Sequence, residues 1–311
     1  MPKEKTHLFV AERIELLLKD KKLQALLQRN RIYYLLGAII PDCCYYSNPT
    51  KKIAENLHGK NGNLTNFLVF QLLEQYKKNK LKEPERAERD LALACGYLAH
   101  CALDSVFHPV INYFTGFYYN KENKENSRAV YLHRHFETYL DQKLKLPFKV
   151  GKMFSAKLLA ETSFASLIAV KFNISAQKVQ TSFQEQLKRN RQFDSFAWYA
   201  LVSLVSHLGI LNKKDRASFY PHLYFDLTVL PENLLYCDSF TGERKRTTIT
   251  GILQHSTKVG AEWLTAAGAY AFGKISLQQA KKKIDGRSLV TGIIGKPSSE
   301  IKYTKDNKSE L

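Results

Sequence analysis

A chain of 311 residues, 44% of them hydrophobic, is long enough to bury a large core unaided, and its five cysteines form no CxxC pair, which excludes a disulfide scaffold. The formal net charge of +18 suits an anionic partner such as a phosphodiester, an acidic lipid surface or nucleic acid, but the lysines are scattered without a nucleic-acid-binding signature, so a solvated lysine-rich surface explains them equally well. The opening residues, MPKEKTHLFV, lack the apolar stretch of a secretory signal, and no apolar run is long and charge-free enough to span a bilayer; the expectation is a cytoplasmic protein, at most peripheral to a membrane.

Apolar residues recur at helical spacing nearly throughout, which predicts an all-α fold. Helices are expected over His7–Leu18 and Leu23–Leu36, the second ending near Pro41-Asp42 because a proline disfavours helix in the residue before it. A polar, turn-rich stretch with His58 follows, then a helix over Leu64–Tyr76 capped by Asn63 or Thr65. The central helix is predicted over Glu85–Phe107, ending or kinking at Pro109. The aromatic run from Tyr113 to Tyr119 and the polar KENKENS stretch then read as a long exposed loop, and a further helix runs over Val130–Leu144. Helices are expected over Ser155–Phe172, Ser175–Phe193 and Phe196–Leu211, an irregular segment over Asn212–Thr248, a last long helix over Thr250–Phe272 and a short basic one after it. The tail beyond Asp285 reads as loose. Residues 1–150 carry the metal-capable side chains; residues 151–311 read as further helices on the same domain.

The most informative stretch is LALACGYLAHCALDSVFHP, Leu91 to Pro109. It is apolar almost all round, as a buried helix is, yet carries His100, Asp104 and His108 four residues apart on one face. Burying a carboxylate and two imidazoles is costly unless a metal ion or a closed hydrogen-bond network compensates them. His133 and Glu137 repeat the spacing. With His7, Asp42 and His58 they make a set of imidazoles and carboxylates, donors that suit zinc. His207 is read as a core histidine, His135, His222 and His255 as surface or packing residues, and Trp198 and Trp263 as core aromatics.

These motifs, Thr6-His7, Pro41-Asp42, His58, HCALD from His100, His108 and above all HRHFETYLD from His133 to Asp141, resemble the zinc-dependent phospholipase C family and, more distantly, the S1/P1 nucleases. The resemblance spans roughly residues 6 to 141 and implies a multi-helix bundle with two or three zinc ions among the helices. It implies that Asp42, His58, His100 and Asp104 hold one zinc, that His108, His133 and Glu137 hold a second, and that His7 with the shared Asp104 contributes to a third. Asp42 would also orient or deprotonate the attacking water. The chain departs from the family in three places. Six residues precede His7, where the secreted enzymes use an N-terminal tryptophan. His108 follows Asp104 by four residues, where theirs follows by six. Cys43 and Glu55 stand where aromatic residues form the choline pocket.

The expected function is therefore that of a hydrolase, a zinc-dependent phosphodiesterase of phospholipase C type acting on phospholipid or another phosphodiester. Tyr45, Tyr46, Phe114 and Phe117 are the candidate substrate-binding residues, and an anionic membrane surface is a candidate partner. The alternatives are a nuclease or nucleotidase with the same metals, with nucleic acid the less favoured substrate, and a helical binding protein with structural zinc.

Overall fold

The computed structural model describes residues 3–116 and 124–305. The fold is all-α, with one two-stranded hairpin. The helices are α1 (Glu4–Leu17), α2 (Lys21–Arg29), α3 (Arg31–Ile39), α4 (Lys51–Leu57), α5 (Phe67–Asn79), α6 (Pro84–Thr115), α7 (Lys124–Lys143), α8 (Val150–Met153), α9 (Ala156–Ala160), α10 (Phe164–Phe172), α11 (Ala176–Phe193), α12 (Phe196–His207), α13 (Ile249–Ala271) and α14 (Leu277–Lys283). Strands β1 (Asn233–Cys237) and β2 (Arg244–Thr248) pair antiparallel within the segment expected to be irregular.

Helix α6 is the axis of the bundle, with α3, α5 and α13 packed around it and α1 packed on both α3 and α13. By length and composition α6 could cross a membrane, but 94% of its most apolar window is buried inside the fold, so it is a core helix. It does not stop at Pro109, as the sequence suggested, but continues to Thr115. A proline inside a helix costs about 3 kcal/mol through the lost N–H and the clash with the preceding turn. Burial of Phe107, Val110, Ile111 and Tyr113 on either side of it outweighs that cost.

The α3–α6 contact is a glycine-on-glycine approach. A Cβ at Gly96 would lie 1.9 Å from the Tyr34 carbonyl oxygen, and one at Gly37 would lie 2.2 Å from that of Leu93. No other residue type lets the two backbones come this close. Further along the chain, Asp90 of α6 takes the Ser163 N–H (2.7 Å) and hydroxyl (2.6 Å), and the helix expected over Ser155–Phe172 breaks there into α9 and α10.

Residues 286–305 are not loose: Leu289 and Val290 are buried, and their carbonyls accept from His108 and Asn112 of α6. Thr65 and Asn66, instead of capping α5, donate to the carbonyls of Arg287 (2.8 Å) and Ile284 (2.6 Å). Gly292, with φ of 71°, fits against the turn ending at Pro109, where a Cβ would come within 2.5 Å of the Ser105 carbonyl oxygen. Helix α7 begins at Lys124, inside the polar stretch expected to be a loop, and Phe117 lies outside the described residues.

Candidate metal centre

Three elements converge to bring Asp42, His58, His100 and Asp104 together. Asp42 lies in the 3-10 turn Ile40–Tyr46 directly after α3, His58 caps the end of α4, and His100 and Asp104 share a face of α6. All four are buried. His58 Nε2 lies 3.0 Å from Asp42 Oδ1 and 3.7 Å from Asp104 Oδ2; His100 Nε2 lies 3.7 Å and 3.1 Å from the same two oxygens; the two Nε2 atoms are 3.4 Å apart. Four donors bound to one zinc at about 2.0–2.1 Å would stand roughly 3.3–3.4 Å from one another, so the set matches a tetrahedral cage.

The tautomers point the same way. His58 Nδ1 donates to the Ala54 carbonyl (2.7 Å) and His100 Nδ1 to that of Ala38 (3.0 Å). In the neutral rings the Nε2 lone pairs therefore face each other and two carboxylates. Acceptors facing acceptors repel unless positive charge stands between them. The backbone carbonyls orient the imidazoles as they do in metal sites generally. The Gly37–Gly96 approach is what brings Ala38 to His100.

The second group is His108, His133 and Glu137, also buried. His133 Nε2 lies 3.0 Å from Glu137 Oε1 across one turn of α7, and the His108 and His133 rings stack at 5.6 Å. His108 Nδ1 donates to the Leu289 carbonyl (2.6 Å), leaving Nε2 buried with no hydrogen-bond partner. Burial lowers His108 to about 3 and carries His133 well below the ordinary imidazole value, so both rings are neutral and fit to donate lone pairs. For Asp42 and Asp104 burial opposes ionisation, but the histidines beside them outweigh it and lower both carboxyls.

His7 is fully buried and stacks on His100 at 4.0 Å, with its Nε2 3.3 Å from Asp104 Oδ1. Asp104 thus turns one oxygen to the first cluster and the other to His7, the arrangement a bridging carboxylate needs. Among the described residues no third imidazole, thiolate or carboxylate completes a group with these two. Asp141 holds α1 in place by accepting from the Thr6 N–H (2.8 Å) and hydroxyl (2.5 Å) and from Tyr220 (2.7 Å). Its role as an anchor for the His7 helix was not read from the sequence.

A cleft of about 470 Å³ opens on this centre. Asp42 and Glu137, one from each group, lie in its wall with Tyr45, Tyr46, Lys3, Arg134 and Arg189. The three cations had drawn no attention in the sequence because lysine and arginine are common everywhere in this chain. Tyr45 packs against the His58 ring at 5.0 Å, and Tyr46 donates to Glu4 (2.7 Å). Phe114, by contrast, lies in the last turn of α6 against the core and is not part of the cleft wall. The helix α6 runs on past Pro109 and carries Phe114 away with it.

Other assignments change as well. His207 and Trp198 are exposed on α12, whereas Trp263 is buried as expected. His135 and His222 are buried and meet the part-exposed Asp226 on the far side of α7; His222 and Asp226 stand four residues apart, but no local spacing links His135 to them.

The protein-family model for zinc-dependent phospholipase C matches residues 6–201. No curated protein and no solved structure matches the chain. The match covers well over half of the 311 residues and includes every residue of the two clusters, and the chain belongs to the zinc-dependent phospholipase C family.

Proposed function

We propose that the protein hydrolyses phospholipids at a membrane surface, cutting between glycerol and phosphate and releasing the phosphorylated headgroup. Zinc held by Asp42, His58, His100 and Asp104 and by His108, His133 and Glu137 would supply Lewis acidity toward the phosphate oxygens and a nucleophile near neutral pH. This chain's own part is positioning and proton transfer. Asp42, which belongs to the first cluster and to the cleft wall, orients the attacking water and takes its proton. Lys3, Arg134 and Arg189 draw the anionic substrate into the cleft; Arg134 is held in place by Asp215 at 2.6 Å. The buried Cys43 offers no aromatic wall for a quaternary ammonium. Together with the cleft cations this favours an anionic headgroup over choline.

The observation that carries the lipid reading is the apolar face beside the cleft. Between Phe196 and Asn212 there is no lysine, arginine, aspartate or glutamate. Within α12 only Tyr199 and Ser206, seven residues apart on one stripe, are buried; Leu201, Leu204 and Leu208 stand in the open, Leu208 at 67% exposure. Leu227 at 81% exposure and Phe225 at 64% extend the exposed apolar set from the neighbouring segment. Val202 and Leu211 of the same stretch line the cleft itself. A soluble protein that needed no apolar partner would not leave such a surface bare. At 12 residues α12 is about 18 Å long, short of the ~30 Å needed to span, so it would lie in the interface.

The test is the triple substitution Leu201→Ser, Leu204→Ser, Leu208→Ser. Burying a leucine is worth about 1.5–3 kcal/mol, so even partial insertion of three gives a loss of vesicle affinity of at least ~10²-fold. Turnover of a soluble short-chain phospholipid should hold. Unchanged activity and binding on vesicles of mixed anionic composition would remove α12 from the reading; loss on both substrates would point to misfolding, which circular dichroism distinguishes.

A further inference from the structure

Helix α7 carries His133 and Glu137 on one face, and two residues along the helix place His135 on the opposite one. There His135 is fully buried. Its Nε2 donates to the Thr228 carbonyl at 2.6 Å, which fixes the tautomer and leaves the lone pair on Nδ1. That Nδ1 is buried and has no hydrogen-bond partner. It faces the Asp226 carboxylate, with Oδ2 at 4.0 Å. His222 Nε2 lies 3.8 Å from the same oxygen. The three donor atoms stand within 4.8 Å of one another. An imidazole lone pair and a carboxylate, both acceptors, thus converge, the ring buried and the carboxylate side chain 22% exposed.

We propose that His135, His222 and Asp226 form a further divalent-metal site, for zinc by its two-nitrogen, one-oxygen donor set, apart from the two clusters at the cleft. The two nitrogen–oxygen separations, 4.0 and 3.8 Å, need to close by about 0.4–0.7 Å to reach the roughly 3.3–3.4 Å of a tetrahedral zinc. Tyr131 is the group in the way and also the candidate fourth ligand. Its hydroxyl donates to Asp226 Oδ2 and its oxygen, 2.8 Å from His222 Nε2, accepts the Nε2–H, so His222 would offer Nε2 to a metal by moving its proton to Nδ1, beside Tyr199. Metal entry takes over both contacts, with the Tyr131 oxygen either turning onto the ion or giving way to a water. Tyr199, 3.3 Å from His222 Nδ1, remains to orient that ring.

The site adds to the contacts that already tie α7 to residues 213–226, among them Arg134 to Asp215 and Tyr220 to Asp141. His222 and Asp226 flank Tyr224 and Phe225, which are exposed, and Leu227 follows. A metal here clamps that apolar segment to the helix that supplies His133 and Glu137. It would be structural, with both imidazoles buried and the Asp226 side chain 22% exposed.

The experiment is metal analysis of the whole protein loaded with zinc and freed of loosely held ion. The double variant His135→Gln, His222→Gln should hold about one zinc equivalent less per chain than the unaltered protein. Tyr131→Phe should keep the equivalent, because it removes a competitor for Asp226 rather than a required ligand. Should the double variant fail to fold, anomalous scattering at the zinc edge from crystals of the unaltered protein reads the same point directly, with a peak expected between His135 Nδ1, His222 Nε2 and Asp226 Oδ2. An unchanged zinc content in the double variant, or no peak at that position in zinc-loaded crystals, overturns the proposal and leaves a hydrogen-bonded network in its place.

Discussion

Replacing Gly96 by alanine tests how the fold builds the first cluster. The new methyl would stand 1.9 Å from the Tyr34 carbonyl oxygen and 2.8 Å from the Gly37 Cα, both backbone atoms that cannot turn aside. Restoring ordinary contact requires α3 and α6 to part by roughly 1.5 Å. Alanine gains about 1 kcal/mol of helix propensity over glycine, whereas overpacking of this kind costs about 1–3 kcal/mol and more where only backbone can move. With backbone on both sides the cost lies at the upper end, so destabilisation wins by up to about 2 kcal/mol. The same displacement pulls the Ala38 carbonyl away from His100 Nδ1, now 3.0 Å distant, and frees the ring to turn. Losing such an orienting partner typically lowers metal affinity 10–100-fold. Thermal unfolding of zinc-loaded and chelated protein, with zinc affinity measured against a competing chelator, reads both effects. A Gly96→Ala protein with unaltered melting temperature and zinc affinity would refute the argument that this helix approach sets the ligand geometry.

Strong chelation should lower the melting temperature and zinc should restore it, since the donors come from α1, α4, α6, α7 and the turn after α3; an unchanged curve with metal loss verified contradicts this. In the metal-free protein, burial holds the folded pKa of His108 at about 3, below the unfolded value near 6.5. The unfolded chain then takes up the proton first, so stability is full above pH ~6.5 and falls as pH drops toward about 3; a melting temperature that rises between pH 7 and 5 would reverse the sign. Asp42→Asn should reduce hydrolysis by about 10²–10⁴-fold while His108, His133 and Glu137 still hold metal. Asp104→Asn should instead reduce zinc content, because Asp104 faces both the first cluster and His7; equal zinc loss in the two variants would undo that division of roles.

The residues brought together at the centre were legible where helical spacing announces them. His100 with Asp104 and His133 with Glu137 stand four apart in helices, and Asp42 follows the proline that ends α3. What completes the site left no local trace. The Leu289 carbonyl that orients His108 is 181 residues away in the chain, in a polar tail whose composition suggests a loose end. Leu289 also donates its N–H to the His58 carbonyl at 2.9 Å, so one backbone unit steadies a ligand of each cluster. The sequence places Tyr113 in an exposed loop, but it is buried in the extended α6, and the exposed apolar surface is α12, whose composition reads as core. Periodicity reports which side of a helix is apolar, not whether anything covers it. His222 and Asp226 stand four apart, a spacing the sequence does offer, but only the tertiary fold brings His135 to them.

The account rests on zinc-dependent cleavage of phospholipid, and one measurement addresses it directly: release of phosphorylated headgroup and diacylglycerol from vesicles of mixed anionic and zwitterionic lipid, by protein of known zinc content, before and after chelation. The expected result is turnover that disappears with the zinc, returns when zinc is restored, and runs faster on anionic vesicles than on pure phosphatidylcholine. Zinc-loaded protein that leaves every vesicle intact while cutting single-stranded nucleic acid would contradict it.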